Sequence, residues 1–276
     1  MIWWLNRSLN GLFNLMMWPF QGGSPWPGIV AASLAISVLL VATFYIFTDP
    51  SAILLARNRL VARTLELLLY QHDLRICFTA CGRILIANLA YLGRYLLPVL
   101  VSFIPLLMIF VQLEFWFERR PLKAGEQTVF TARIDAAYPV QDVVVDLELS
   151  ENLQVDAEPV RVSSANEIAW RVLAVAPGEG WGEVTVAQVA QRKSVRTGSE
   201  LLRVSPDRTS RGFVSELLAP SEMPLEESCP IRQLSIVYPR RELLLGQTEI
   251  SWLSALLVLT LIFSLVLGRA LGVRIA

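Results

Sequence analysis

Three stretches of this chain, Gly28–Thr48, Tyr95–Leu113 and Ile250–Gly268, contain no Lys, Arg, Asp or Glu. A helix rises about 1.5 Å per residue, so each stretch is long enough to cross a hydrocarbon core roughly 30 Å thick. Soluble proteins are about one-quarter charged, whereas this chain is 17% charged with a mean hydropathy of +0.50. Concentration of the apolar residues into three charge-free runs predicts three transmembrane helices, at 28–48, 95–115 and 250–268. With 24 basic and 24 acidic residues overall, the chain has no excess charge to offer a nucleic acid, and no nucleic-acid partner is expected.

The charges that remain are segregated. Residues 49–94 hold Arg57, Arg59, Arg63, Arg75, Arg83 and Arg94 against Asp49, Glu66 and Asp73. Arginine excess in a short loop places that loop in the cytoplasm. The 27 residues before the first span carry one charge, Arg7, and the tail 269–276 carries Arg269 and Arg274. All three features agree on an inner-membrane protein with its N-terminus outside and its C-terminus in the cytoplasm. Between Glu118 and Glu249, 15 basic residues meet 20 acidic ones, which makes the outer segment acidic. No A-x-A-like cleavage site follows the first span, so it reads as a signal anchor.

Residues 1–27 are too polar to span but rich in indole and Leu, Phe and Met, which predicts an amphipathic helix in the outer interface followed by a Gly/Pro-rich turn. In the loop 49–94, Asp49 is the expected N-cap and Pro50 the first helical position. A break at Gln71-His72-Asp73 then separates two helical arms, the second running on toward the second span. Short connections make such helices antiparallel neighbours.

That hairpin, its return through Gly82-Arg83-Ile84-Leu85 and Asn88-Leu89-Ala90-Tyr91-Leu92, and the proline-containing second span ending in Val111-Gln112-Leu113 resemble the Oxa/YidC/Alb membrane insertase superfamily. The three-span layout is most similar to the branch containing the third subunit of the endoplasmic reticulum membrane complex and its prokaryotic relatives. The resemblance covers about residues 28–115 and implies a polar groove open to cytoplasm and lipid, a hairpin that catches substrates or ribosomes, and no covalent chemistry or cofactor. It implies Ser33, Ser37, Thr43, Arg94, Ser102 and Gln112 as groove or substrate contacts, and Arg57, Arg59, Arg63, Arg75 and Arg83 as hairpin contacts. The partners implied are membrane lipid and nascent membrane proteins, with a ribosome or an extracytoplasmic protein as further candidates. On residue chemistry alone, Ser and Thr in a span equally well bond to backbone or pack between helices.

From residue 116 the pattern changes. Thr128–Ile134, Val140–Leu149, Glu167–Val175 and Gly182–Val189 alternate apolar and polar residues between turn signals, as half-buried strands do. About seven short strands fit up to residue 204, which predicts an extracytoplasmic all-β immunoglobulin-like sandwich over 116–204 with Trp170 in its core and Trp181 in a turn or on the surface. Residues 205–249, with five of their prolines spread along them and Glu222, Glu226 and Glu227, read as a linker in which Leu234–Tyr238 is one further strand or pairs with the sandwich edge. The fold class is therefore membrane α-helical plus an all-β domain.

Enzyme machinery is missing from the sequence. His72 is the only histidine, so no Ser-His-Asp or Cys-His site can be assembled away from the cytoplasmic bend. No phosphate-loop, HExxH or dinucleotide fingerprint occurs. Cys77 and Cys81 sit one helical turn apart and read as packing in a reduced compartment, with no metal site expected. Cys229 stands alone on the outer side, free, lipidated or paired between chains. Two functions remain: an insertase-like protein working through the hairpin, and a membrane-anchored adaptor working through the sandwich. A transporter ranks behind both because three poorly polar spans offer little pathway without oligomerisation.

Overall fold

Charge-free sequence becomes helix. The computed structural model describes residues 2–69, 74–210, 212, 222–226 and 229–271, with the backbone alone for residues 2–5, 50, 68–69 and 74–77. The bend at Gln71–Asp73 with His72, and also Glu227 and Arg274, lie outside the described residues, as do the side chains of Arg75 and Cys77. Five helices run α1 (Ile2–Met17), α2 (Trp26–Phe47), α3 (Pro50–Leu69), α4 (Leu74–Phe117) and α5 (Trp252–Ala270) among the described residues. Three of them, α2, α4 over Phe78–Phe117, and α5, are long and apolar enough to cross a membrane.

Helix α3 begins as its sequence demands. Asp49 Oδ1 accepts from the backbone N–H of Ser51 at 2.9 Å and of Ala52 at 3.4 Å, satisfying donors that have no partner inside the first turn. Helix α4 joins the second hairpin arm to the second apolar stretch without interruption over 44 residues, roughly 66 Å at the helical rise. Pro98 and Pro105 lie inside it. Each lacks the N–H that would bond the carbonyl four residues earlier, an omission that membrane helices tolerate better than soluble ones.

The chain divides into two compact units, Met1–Gly28 with Met108–Trp252, and Ile29–Leu107 with Leu253–Ala276. The first contains the β-structure. One sheet has the order β3 (Leu153–Val155), β5 (Glu167–Ala174), β1 (Gln127–Ile134), β9 (Ile231–Ile236) and β8 (Asp207–Thr209), with β4 (Val160–Val162) also on β5. A second sheet has the order β2 (Val145–Leu149), β6 (Gly178–Val186), β7 (Val189–Thr197). A hairpin of β10 (Leu243–Leu245) and β11 (Thr248–Ile250) stands apart.

Period-two burial decides what each strand contributes. Strand β1 turns Phe130, Ala132 and Ile134 inward, β5 turns Ile168, Trp170, Val172 and Ala174 inward, and β6 does so with Val184 and Val186. These side chains and those of β7 and β9 form one hydrophobic cluster that both sheets share. Trp170 is 4% exposed and meets Phe130 edge-on at 6.3 Å. Trp181 is half-buried instead, with the Arg192 guanidinium 4.0 Å from its ring centre.

Several sequence expectations shift. Residues 205–249 are not a linker: β9 pairs with β1 in the middle of the larger sheet, Phe130 opposite Ile236 and Ala132 opposite Leu234. Leu225, Cys229, Ile231, Leu234 and Tyr238 belong to the shared core. The apolar residues between the prolines here complete a sheet rather than dangle from it. Within Val140–Leu149 only Val145–Leu149 is strand, because the carbonyls of Val140, Gln141 and Val143 are taken by the Arg161 side chain. The third apolar helix starts at Trp252, since Ile250 pairs with Leu243 in the β10–β11 hairpin around Gly246, whose φ of 66° suits a glycine.

Candidate functional site

Polar residues in the apolar helices were the first candidates, and most of them are occupied with packing. Ser33 donates to the Ile29 carbonyl at 2.7 Å and lies 3.4 Å from the Leu256 carbonyl. Ser37 likewise reaches the Ser33 carbonyl at 2.7 Å and the Thr260 carbonyl at 3.0 Å. Both are fully buried, so this pair fastens α2 to α5. Small hydroxyls let helix backbones approach closely and supply a modest interhelical bond. Thr43 donates to Leu39 and Ser102 to Val99 within their own helices, and both are buried.

Gln112 is bound up differently. It is 1% exposed and its Oε1 accepts from Arg203 at 3.0 Å. The Arg203 guanidinium also lies 5.5 Å from the centre of the Phe115 ring, and burial pushes its pKa down to about 10. A cation with that pKa keeps its charge at neutral pH. Around it, Val204 N–H donates to the Phe115 carbonyl at 3.0 Å and Trp252 Nε1 donates to Glu118 at 2.6 Å. The end of α4 is thus clamped by backbone and side chains that follow it, which is structural work. Sequence reading had no signal for Arg203 as its partner.

The arginines of the hairpin make a site. A cleft of about 780 Å³ opens between α3 and α4. On α3 it is lined by Ala52, Leu55, Ala56, Arg59, Ala62 and Arg63, and on α4 by Arg83, Ile86, Ala87, Ala90 and Arg94. Steps of three and four residues put each set on one helix face. Alanines leave the space; arginines rim it. Asp49 and Ser51 complete the lining at the start of α3.

Charge in the cleft is only partly neutralised. Glu66 accepts from Arg63 at 2.7 Å through Oε2 and from Arg83 at 2.9 Å through Oε1, so one carboxylate holds guanidiniums from opposite helices. Those contacts, that from Arg63 foremost, hold its carboxyl below the usual range. The Ser51 hydroxyl and the Ser51 and Ala52 amides do the same for Asp49, with Arg94 adding a smaller attraction. Arg59 and Arg94 make no ion pair among the described residues. Arg57 is exposed and lies off the cleft.

No family model, curated protein or solved structure matches this chain. Among the described residues no group of His, Cys, Asp and Glu is arranged to hold a metal ion. Of the residues singled out from sequence, Arg59, Arg63, Arg83 and Arg94 come together, while Ser33, Ser37, Thr43, Ser102 and Gln112 do not join them. Asp49 and Glu66 were missed as site residues. The repeated Ala–Arg spacing on both arms was the signal that could have found the cleft.

Proposed function

We propose that this protein is an insertase-like integral membrane protein that helps other membrane proteins insert or assemble, without covalent catalysis. In this reading α2, α4 and α5 span the cytoplasmic membrane, the arginine-rich hairpin lies in the cytoplasm, and the β-structure forms an extracytoplasmic immunoglobulin-like sandwich. The observation that supports it is the arginine-rimmed cleft beside an uncovered apolar stripe on the same helix. Leu85, Leu89, Leu92, Leu96 and Phe103 on α4 are all more than half exposed. A client with a short polar end and an apolar segment can present the first to the cleft and the second to the stripe. The polar end is then solvated while the apolar part meets lipid, which lowers the barrier to crossing.

A second reading rests on a different place. On the smaller sheet an open apolar pocket of about 440 Å³ is lined by Tyr138, Val143, Val144, Asp146, Thr185, Ala187 and Gln188. Val144 there is 85% exposed. An adaptor would bind its partner at that edge and use the helices as an anchor.

Site-specific photocrosslinking separates the two. Probes at Arg59 and Leu89 are expected to capture nascent membrane proteins with short translocated tails, and a probe at Val144 is not. Capture of a stable partner at Val144, with no client adducts from the hairpin, would refute the insertase reading in favour of the adaptor.

A further inference from the structure

The two arginine pairs of the cleft are not equivalent. Arg63 and Arg83 converge on a carboxylate supplied by the protein itself, Glu66. That arrangement demonstrates that guanidiniums from opposite helices can meet on one anion here. Arg59 and Arg94 line the same cleft from opposite helices, and among the described residues no carboxylate pairs with them. The one other acidic group in the lining, Asp49, has an oxygen engaged by the Ser51 hydroxyl and two backbone amides, and exerts only a smaller attraction on Arg94 without forming an ion pair. A tetrahedral anion with several acceptor oxygens matches planar guanidiniums arriving from two sides better than a single carboxylate does.

The surroundings specify more than an anion. Leu55 and Ile86 stand in the lining, and both are more than half exposed. Arg94 immediately precedes the charge-free stretch 95–113, the depth at which a lipid headgroup meets a helix that enters a bilayer. Ligand pockets commonly occupy roughly 300–1,000 Å³, so a cleft of about 780 Å³ can accept a phosphate group together with its glycerol and the first acyl carbons. A free acidic peptide would leave the apolar wall against water.

We propose that the α3–α4 cleft is a phosphate site for the headgroup of an anionic lipid, held by Arg59 and Arg94 with Leu55 and Ile86 against its acyl stem. This rests on the membrane placement of α4 in the reading above, and it assigns the cleft a resident lipid that a client's polar end would displace. The headgroup phosphate supplies Arg59 and Arg94 with one shared anion, as Glu66 does for the other pair, and ties the hairpin to the membrane surface.

The test uses the full chain extracted from bilayers of phosphatidylcholine containing a minor share of phosphatidylglycerol, with retained lipids identified by native mass spectrometry. Selective retention of phosphatidylglycerol is expected, reduced roughly tenfold in the R59Q/R94Q double variant, the order of losing charge-assisted hydrogen bonds to phosphate. Retention in R57Q, which alters an arginine outside the cleft, should be unchanged and shows that the hairpin tolerates such substitutions. A parallel titration with inorganic phosphate distinguishes the source. Phosphate binding that disappears in R59Q/R94Q, without any preference for the anionic lipid, would overturn the lipid assignment in favour of a soluble phosphate. Equal retention of both lipids with no phosphate binding, or retention indifferent to R59Q/R94Q, overturns the site. Client crosslinking from a probe at Leu89, which is not in the cleft lining, is read separately, so loss of lipid binding and loss of insertase activity are distinguishable.

Discussion

Asn166 sits in the left-handed region at φ 52° and uses its side chain to finish a loop. Its Nδ2 donates to the carbonyls of Ile134, Asp135 and Tyr138 at 2.9–3.2 Å, and its Oδ1 accepts from Val140 N–H at 3.0 Å. Asn166→Ala strands these backbone groups and strains the main chain, and is expected to destabilise the β-structure by about 2–3 kcal/mol. Asn166→Gly relieves the backbone alone and should recover the smaller part. Alkylation of Cys229, which is 4% exposed and bonded to Ile231 N–H, measures the opening directly. A second residue sets acid sensitivity. Glu126 receives two hydrogen bonds from Arg120 at 2.8 Å and one from Lys123 N–H at 2.9 Å, and the Arg120 contact chiefly holds its carboxyl below the ordinary 4.5. A depressed carboxylate contributes stability above its unfolded pKa and loses it as pH falls through the folded one. The melting temperature of the β-structure should therefore fall below pH 4.5, with a shallower slope in Glu126→Gln; identical slopes would rule out this contribution.

At the scale of elements, the fit of β6 against β1 depends on a missing side chain. A Cβ on Gly182 would lie 2.9 Å from the Phe130 ring and 3.2 Å from Leu149. Gly182→Val should displace Phe130 from its edge contact with Trp170 and cost about 1–3 kcal/mol by overpacking. Phe130→Leu in the same chain should return part of the loss, and a denaturation double-mutant cycle gives the coupling. Much at this scale could be read beforehand. The apolar helices announced themselves because charge-free runs of that length are uncommon outside long apolar helices, and Asp49 marked the start of α3 because a cap is a local device. The expected run Gly182–Val189 covers only the later part of β6, which ends at Val186, and crosses a turn into the start of β7, whereas the strands β1 and β5 were visible because one face is buried and the other wet. Lys193 was not, since it lies between polar Arg192 and Ser194 and looks like a surface residue. It is 0% exposed, with Nζ 3.0 Å from the Ser205 carbonyl and 3.1 Å from Glu222. The cleft escaped although its arginines were evident, because the Ala–Arg spacing that marks the two facing helix surfaces was not read across both arms.

For the whole molecule, the pairing of β1 with β9 changes what counts as a domain. If residues 205–249 only tethered a finished sandwich, replacing 230–238 by a Gly/Ser stretch of equal length would leave residues 122–204 folded. The opposite is expected, because Ile231, Leu234 and Ile236 are in the core and β9 lies between β1 and β8. Limited proteolysis of the altered full chain should cleave within 122–204 under conditions that spare the parent. Persistence of a protected fragment would return 205–249 to the role of a tether. The same pairing governs the order of events during synthesis. Thr128 bonds to Val237, 109 residues further on. When β1 leaves the ribosome, its partner on one side does not yet exist, and contacts of such separation close late. The sheet can be finished only once residues 231–236 have been made, shortly before α5, and any delay there leaves an open strand edge for quality-control proteases to find.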